Sequence, residues 1–204
     1  MIKITIIIPT CDRSGTLYYC IKTCLNQDYP NYELLISNNA STDDTEEVIK
    51  SFNDPRIRYI KTEDKLSMSE HWEFALSHVN DGYVMIIGDD DGLMPKSLNY
   101  MSKLIQQYKV DALMSYNLIY SWSTKYLFYK NSNYFLMEKT DILEHLANNM
   151  EYYPELNILP TIYHGLVNIE IVKKIKNRDI LFFNSILPDI YSNIILLGEI
   201  DRFL

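Results

Sequence analysis

The feature that most limits the fold of this chain is a regular alternation of apolar and amphipathic segments over its first 115 residues. Short runs of apolar and β-branched residues indicate strands, and between them apolar residues recur at helical spacing. The predicted strands are residues 4–8, 33–37, 56–61, 83–87 and 112–116. This order predicts an α/β fold, in which a mostly parallel, Rossmann-like sheet is covered by helices on both faces.

Two local signals indicate where helices begin in this half. Ser67 and Glu70 have the spacing of a capping box, which predicts a helix that begins beside them. Pro95 is expected in the first turn of the helix that follows the strand at residues 83–87, because proline is tolerated there.

The second half of the chain is less regular. Residues 116–137 are rich in Tyr, Phe and Ser, a composition compatible with antiparallel strands or with an excursion beside the sheet. Helical patterns return at about 140–149, 168–176 and 189–197. We therefore expect one domain over residues 1–204, with a regular half at 1–115 and a smaller irregular half at 116–204.

Charge and composition exclude several classes of protein. The formal net charge of -8 argues against nucleic acid as a partner, because such a surface needs clustered Lys and Arg. The apolar run at residues 4–8 is too short for a signal sequence, and no segment approaches the roughly 18 apolar residues of a membrane span. Cys11, Cys20 and Cys24 lack a nearby His to complete a zinc site, so we interpret them as reduced thiols of a cytoplasmic protein.

Polar residues follow three of the predicted strands, at residues 9–12, 38–41 and 88–92. Parallel strands bring their carboxyl ends to one edge of a sheet, where ligands bind in such folds. Asp89, Asp90 and Asp91 come directly after a buried strand and repel one another unless a cation lies between them. Mg²⁺ or Mn²⁺, shared with substrate phosphates, is the natural cation. The alternative is a solvated acidic turn that caps the next helix.

These segments resemble the family 2 glycosyltransferases of the GT-A fold. The resemblance lies in residues 5–13, 36–43, 66–76 and 87–91, the last followed by Pro95, in the order and spacing of that family. It covers about the first 115 residues and implies that this half binds a nucleotide sugar. The half at 116–204 would then lie on the acceptor side.

The resemblance also implies roles for the residues at the strand ends. Thr10, Asp12 and Asn39 match the positions that hold the base and ribose of the nucleotide, with Pro9 and Asn38 beside them in the same site. Many relatives have Asp at one or both of the Asn positions. An amide both donates and accepts hydrogen bonds whereas a carboxylate only accepts, so the base is open, with uracil favoured.

For the metal and the diphosphate, the resemblance points to the acidic triplet. Asp90 matches the principal metal-binding position, Asp91 is a second metal-ligand candidate, and Asp89 falls near the sugar phosphate. Gly88 stands where many relatives have Asp, so the motif is shifted from its commonest form. Lys65 is placed where a basic side chain reaches the diphosphate, or it is a solvated surface residue.

The catalytic base of the family is a carboxylate at the start of a helix, about a hundred residues beyond the metal motif. Asp189, after Pro188, fits this description, and its alternative role is that of a helix cap. His164 is a second candidate in the same half. Such a base removes the proton from the acceptor hydroxyl as it attacks.

The function that the resemblance implies is inverting transfer of a sugar from a nucleoside-diphosphate sugar, with a UDP-sugar favoured. The acceptor would be a hydroxyl of a saccharide or lipid-linked acceptor in cell-surface polysaccharide synthesis, in the cytoplasm or at the inner membrane face. Two alternatives are a non-catalytic nucleotide-sugar-binding subunit and a haloacid-dehalogenase-like phosphatase, whose Asp-x-Asp-Gly motif residues 89–92 resemble.

Overall fold

The chain alternates strands and helices through its first half, as the sequence predicts. The computed structural model describes residues 1–115, 119–121, 125–128, 136–149 and 159–204. In these residues the strands are β1 (Ile4–Thr10), β2 (Tyr32–Asn38), β3 (Ile57–Lys61), β4 (Tyr83–Ile86), β5 (Ala112–Leu113), β6 (Ile119–Ser121), β7 (Tyr126–Phe128), β8 (Met137–Glu138), β9 (Leu166–Asn168) and β10 (Arg202–Phe203). The helices are α1 (Ser14–Leu25), α2 (Thr45–Ser51), α3 (Met68–Leu76), α4 (Ser97–Tyr108), α5 (Lys139–Asn149), α6 (Ile169–Lys176) and α7 (Pro188–Glu199).

Six of the strands form one sheet in the order β3-β2-β1-β4-β9-β5. β1 lies between β2 and β4 and is parallel to both, and β3 is parallel to β2. The chain therefore moves outward from β1 to β3 and then returns to place β4 on the other side of β1. This change of direction opens a crevice at the carboxyl ends of β1 and β4, which is where ligands bind in open α/β sheets.

β9, like β10, is a strand that the sequence did not indicate. It has three residues and runs antiparallel between β4 and β5. α6 begins directly after β9. Three residues are too few to show the alternation of apolar and polar side chains that distinguishes a strand from the first turn of a helix. The fifth predicted strand is shorter than expected, at Ala112–Leu113, and its expected end at residue 116 lies outside the described residues.

The irregular second half keeps the three helices expected from its pattern, α5, α6 and α7. β6 and β7 pair as antiparallel strands within the segment 116–137, whose remaining parts at 116–118, 122–124 and 129–135 lie outside the described residues. β8 and β10 form a further antiparallel pair.

Local signals explain the start of one helix, whereas a second differs from expectation. α3 begins after Ser67, whose hydroxyl accepts from the backbone N–H of Glu70 while the Glu70 carboxylate accepts from the backbone N–H of Ser67. The predicted capping box is therefore present. Pro95, expected in the first turn of α4, lies before that helix, because Lys96 has a left-handed backbone (φ 68°) and α4 begins at Ser97.

Both faces of the sheet are buried, as a strand made only of apolar residues predicts. Ile6 and Ile8 of β1 pack with α1 and α4 on one face. Ile7 packs with α3, α6 and α7 on the other. The sheet is thus a rigid support for the loops at its carboxyl edge. No helix in the described part of the chain has both the length and the apolar character needed to cross a bilayer.

Candidate active site

Thr10 at the end of β1 and Asp89 after β4 are joined across the carboxyl edge of the sheet. The Thr10 hydroxyl donates to Oδ2 of Asp89 at 2.7 Å, and both residues are buried. Burial raises the pKa of Asp89, and this effect exceeds the lowering by the Thr10 hydrogen bond and by the charge of Arg13. A buried carboxyl group with a raised pKa, fixed at a strand end, is typical of functional sites.

Arg13, the residue before α1, pairs with the first two carboxylates of the acidic triplet. Its Nε lies 3.3 Å from Oδ1 of Asp89, and its Nη2 lies 2.7 Å from Oδ2 of Asp90. The carboxylate of Asp89 is 6% exposed and that of Asp90 is 52% exposed. The crowding of carboxylates predicts a cation among them, and in this structure Arg13 supplies that charge. In the sequence, Arg13 comes directly after the polar residues 9–12 that follow β1. This position is the signal that could have identified it as a site residue.

Asp91 has partners other than Arg13. Its Oδ2 accepts from the backbone N–H of Gly88 at 2.7 Å, lies 2.6 Å from Nε2 of His164, and accepts from the Tyr163 hydroxyl at 3.2 Å. Burial raises the pKa of Asp91, but the hydrogen bond and charge of His164, followed by the hydrogen bonds from Gly88 and Tyr163, outweigh this effect, and the pKa lies below its usual value. His164, a secondary candidate from the sequence, is thus a direct partner of the triplet.

Gly88 is closely surrounded by the ends of the acidic side chains. A Cβ at this position would lie 2.8 Å from Oδ2 of Asp91 and 2.9 Å from Oδ1 of Asp90, closer than real Cβ contacts. A larger residue at 88 would therefore displace both carboxylates. The absence of a side chain at Gly88 allows Asp91 to fold back onto its backbone N–H.

Asp12 organises the loop after β1. Its backbone is left-handed (φ 53°), Oδ1 accepts from the backbone N–H of Thr42 at 2.7 Å, and Oδ2 accepts from Nζ of Lys65 at 3.0 Å. The Thr42 N–H and then Lys65 hold the pKa of Asp12 well below its usual range. The ammonium of Lys65 therefore lies against Asp12 in this structure and not against the acidic triplet.

The two asparagines after β2 have different surroundings. Asn38 is 1% exposed, donates to the Tyr59 hydroxyl at 3.0 Å and accepts from the backbone N–H of Ser41 at 2.9 Å. Asn39 donates to the carbonyl of Leu66 at 2.9 Å and accepts from its N–H at 2.8 Å. Both amides fix loops at the sheet edge, and Asn39 also borders the cavity described next.

A cavity of about 290 Å³ opens at this edge of the sheet. Its wall consists of Pro9, Thr10, Cys11, Arg13, Asn39, Met68, His71, Trp72, Gly88, Asp89, Asp90 and Tyr163. Five of the residues predicted from the sequence thus share one cavity, namely Pro9, Thr10, Asn39, Asp89 and Asp90. The other five residues predicted from the sequence are also described by the structure but do not line this cavity, namely Asp12, Asn38, Lys65, Asp91 and Asp189.

Asp189 lies within electrostatic reach of Tyr163, whose hydroxyl donates to Asp91. Burial raises the pKa of Tyr163, and the charges of Asp91, Asp90 and Asp189 raise it further, so all three carboxylates act on one phenol. Asp189 is the second residue of α7, after Pro188, whereas the N-cap position is Leu187. The alternative reading of Asp189 as the N-cap residue is therefore wrong.

Tyr163 also connects this region to the cavity. Its ring stacks on Trp72 of α3 with a centroid distance of 5.5 Å and an interplanar angle of 15°. Trp72 in turn contacts Phe183 edge to face, with centroids 5.3 Å apart. Neither Tyr163 nor Trp72 was predicted as a site residue, because aromatic residues at helical or strand spacing more often pack in the core.

Comparison with known proteins identifies the family. The model of "Glycosyl transferase family 2" matches residues 5–166, so the chain belongs to the family 2 glycosyltransferases. It is similar to glycosyltransferase GlyG of Streptococcus pneumoniae serotype 4, with 22% identity over 188 residues, covering 89% of this chain and 60% of GlyG. It is also similar to the UDP-Glc:alpha-D-GlcNAc-diphosphoundecaprenol beta-1,3-glucosyltransferase WfaP of Escherichia coli, with 27% identity over 154 residues, 76% of this chain and 53% of WfaP.

A solved structure confirms the fold class. The S. aureus protein TarS in complex with UDP-GlcNAc matches 98% of this chain and 55% of its own chain, with a TM-score of 0.72 and 15% sequence identity. The fold is therefore the GT-A fold that the sequence predicts. The chain spans less than two thirds of the length of GlyG, WfaP and TarS.

Proposed function

We propose that this chain is an inverting glycosyltransferase that moves a sugar from a nucleoside-diphosphate sugar, UDP-linked in the favoured case, to a hydroxyl of a saccharide or lipid-linked acceptor. The observation that carries the proposal is the cavity at the carboxyl ends of β1 and β4, where Thr10 and Asn39 face the carboxylates of Asp89 and Asp90. The names of relatives support it, since WfaP is a UDP-Glc glucosyltransferase and TarS was solved with UDP-GlcNAc.

The donor belongs in the half at residues 1–115, which contributes most of the cavity wall. In this proposal Thr10 and Asn39 bind the base and ribose, with Pro9 beside them. Asp12 and Asn38 shape the surrounding loops through their backbone contacts, and Lys65 joins the diphosphate only by leaving Asp12. The half at 116–204 would serve the acceptor.

Two of the acidic residues fit a divalent cation. In the described residues no three His, Cys, Asp or Glu side chains form a ready-made ligand set. Asp89 and Asp90, however, share one cation in the structure, the guanidinium of Arg13. Mg²⁺ and Mn²⁺ bind through one or two carboxylates and complete their shell with phosphate and water. We therefore assign the metal to Asp90 with Asp89 or Asp91, where it would neutralise the departing diphosphate.

Asp189 is the proposed base. Its charge acts on Tyr163, which lines the cavity and donates to Asp91, so Asp189 lies within electrostatic reach of the acidic triplet. A groove of about 920 Å³ supports this arrangement. The groove runs along α3, includes Ile186 three residues before Asp189, and shares Met68 with the cavity. An acceptor in this groove would bring its hydroxyl towards both the donor and the base.

The cellular role is part of the same proposal, and the name of one relative supports it. WfaP acts, by its name, on a diphosphoundecaprenol-linked sugar, and such a lipid-linked acceptor would require this chain to work at the inner membrane face. We propose a cytoplasmic enzyme with peripheral membrane association, used in cell-surface polysaccharide synthesis.

Thermal unfolding with a panel of nucleoside diphosphates, with and without Mn²⁺, tests the donor site. UDP with Mn²⁺ should stabilise the wild type, by about 2.7 kcal/mol at a ligand concentration a hundred times Kd. Asp90→Asn should lose the Mn²⁺-dependent part. The matched control is Asp28→Asn, an exposed carboxylate in the loop before β2, at the opposite edge of the sheet. Equal stabilisation of the Asp90 variant would show that the metal site lies elsewhere.

A further inference from the structure

Arg13 lines the cavity to which the proposed function assigns the donor. Of the described residues that line the cavity, it is the only Lys or Arg. Its guanidinium spans Asp89 and Asp90, the two carboxylates that fit a divalent cation. The Arg13 side chain is 48% exposed, so it is free to move at the cavity rim without disrupting the core.

The guanidinium and a divalent cation compete for the same carboxylate oxygens. Two positive charges this close repel each other, so one must leave when the other binds Asp90. The pair of Arg13 with Asp90 is weak because both side chains are about half exposed and solvent screens their charges. When Arg13 leaves the carboxylates, its nearest alternative partner is an anion in the same cavity. A guanidinium binds phosphate oxygens through two parallel hydrogen bonds.

We propose that Arg13 is an exchangeable counter-ion of the donor site. In the protein without ligand it neutralises Asp89 and Asp90. When metal and donor bind, it moves to the diphosphate of the donor. This inference rests on the proposed function and adds a donor-binding role for a residue that the sequence did not single out. Lys65 is less suited to this role, because its ammonium pairs with Asp12 outside the described cavity wall.

The proposal predicts opposite changes in two binding constants of Arg13→Ala. Mn²⁺ alone should bind roughly threefold to tenfold tighter, since a half-exposed competing ion pair is lost. UDP, measured at a Mn²⁺ concentration that saturates both proteins, should bind about tenfold weaker, since a charge-assisted pair with phosphate is lost. Free Mn²⁺ is quantified by electron paramagnetic resonance, and UDP binding by calorimetry.

Arg178→Ala is the matched control, because Arg178 is also about half exposed, at 54%, and pairs with a carboxylate, Glu199, remote from the cavity. It should change neither constant. Arg13→Gln keeps the length and hydrogen-bonding capacity of the side chain without its charge. It should show the same two changes if Arg13→Ala does not fold, as judged by circular dichroism.

The outcomes separate this inference from the proposed function. Unchanged or weaker Mn²⁺ binding by folded Arg13→Ala or Arg13→Gln would overturn the counter-ion role. Tighter Mn²⁺ binding with unchanged UDP binding would overturn the transfer of Arg13 to the diphosphate. If the wild type binds no nucleoside diphosphate with any divalent cation, the proposed function itself fails and this inference with it.

Discussion

Acid should destabilise this protein through one buried histidine, His71 of α3. The residue is 4% exposed, and its Nε2 lies 2.8 Å from Oγ of Ser37 in β2. Burial lowers the pKa of His71 to about 4, against a smaller raising effect from the Ser37 backbone. His71 is therefore neutral in the folded protein at neutral pH. It connects α3 to the sheet beside the cavity, so its protonation affects the site as well as the fold.

The sign and size of the effect follow from proton binding. The unfolded chain protonates His71 below its usual pKa of 6.5, whereas the folded protein does so only near pH 4. Between these values the unfolded state binds more protons, so the free energy of unfolding falls as the pH falls. This pKa difference corresponds to roughly 3 kcal/mol in total, of which about 2 kcal/mol is lost between pH 7 and pH 5.

Urea unfolding of the wild type and of His71→Gln at several pH values measures this contribution. Glutamine places an amide near the position of Nε2, can still bond Ser37, and does not titrate. The variant should be less stable at pH 7 because its packing is poorer, and the difference should shrink by about 2 kcal/mol at pH 5. Parallel pH profiles for the two proteins would refute the assignment of this acid sensitivity to His71.

Three further substitutions test the site. Asp189→Asn should reduce transfer to the acceptor by about 10²–10⁴-fold and leave donor affinity unchanged. Turnover and donor binding are measured in one preparation, and near-normal transfer would show that Asp189 is not the base. Gly88→Ala should change the midpoint of urea unfolding little, because the added Cβ meets only the movable ends of side chains, but it should weaken Mn²⁺-dependent UDP binding in calorimetry by displacing two carboxylates; unchanged binding would contradict this. Thr10→Val should cost about 1.5–3 kcal/mol in urea unfolding at pH 7, since buried Asp89 loses a hydrogen bond; an unchanged midpoint would contradict that contact.

Much of the fold could be predicted because its signals are local. The apolar run of β1, the helical spacing in α1 and the capping box at Ser67 each depend on residues close in the chain. β9 could not be predicted, because three residues are too few to show an alternation of apolar and polar side chains. Its position in the sheet depends on pairing with β4 and β5, which are distant in the chain.

The same distinction applies to the candidate site. The residues at strand ends could be predicted to lie together, and Thr10, Asn39 and Asp89 do share one cavity. The contacts of Arg13 and His164 with the acidic triplet join residues more than seventy positions apart. A basic or imidazole side chain gives no local sign of which distant carboxylate it meets, so only the folded chain shows these partners.

If the cavity holds a nucleotide sugar and the chain transfers its sugar, nucleoside diphosphate must be released in the reaction. The most direct test is the release of nucleoside diphosphate from a panel of nucleotide sugars, with Mn²⁺ and saccharide acceptors, followed by mass spectrometry. The wild type is expected to release nucleoside diphosphate, and Asp90→Asn is expected to lose this release. Donor binding by the wild type without any release would contradict the enzymatic claim and identify the chain as a non-catalytic nucleotide-sugar-binding subunit.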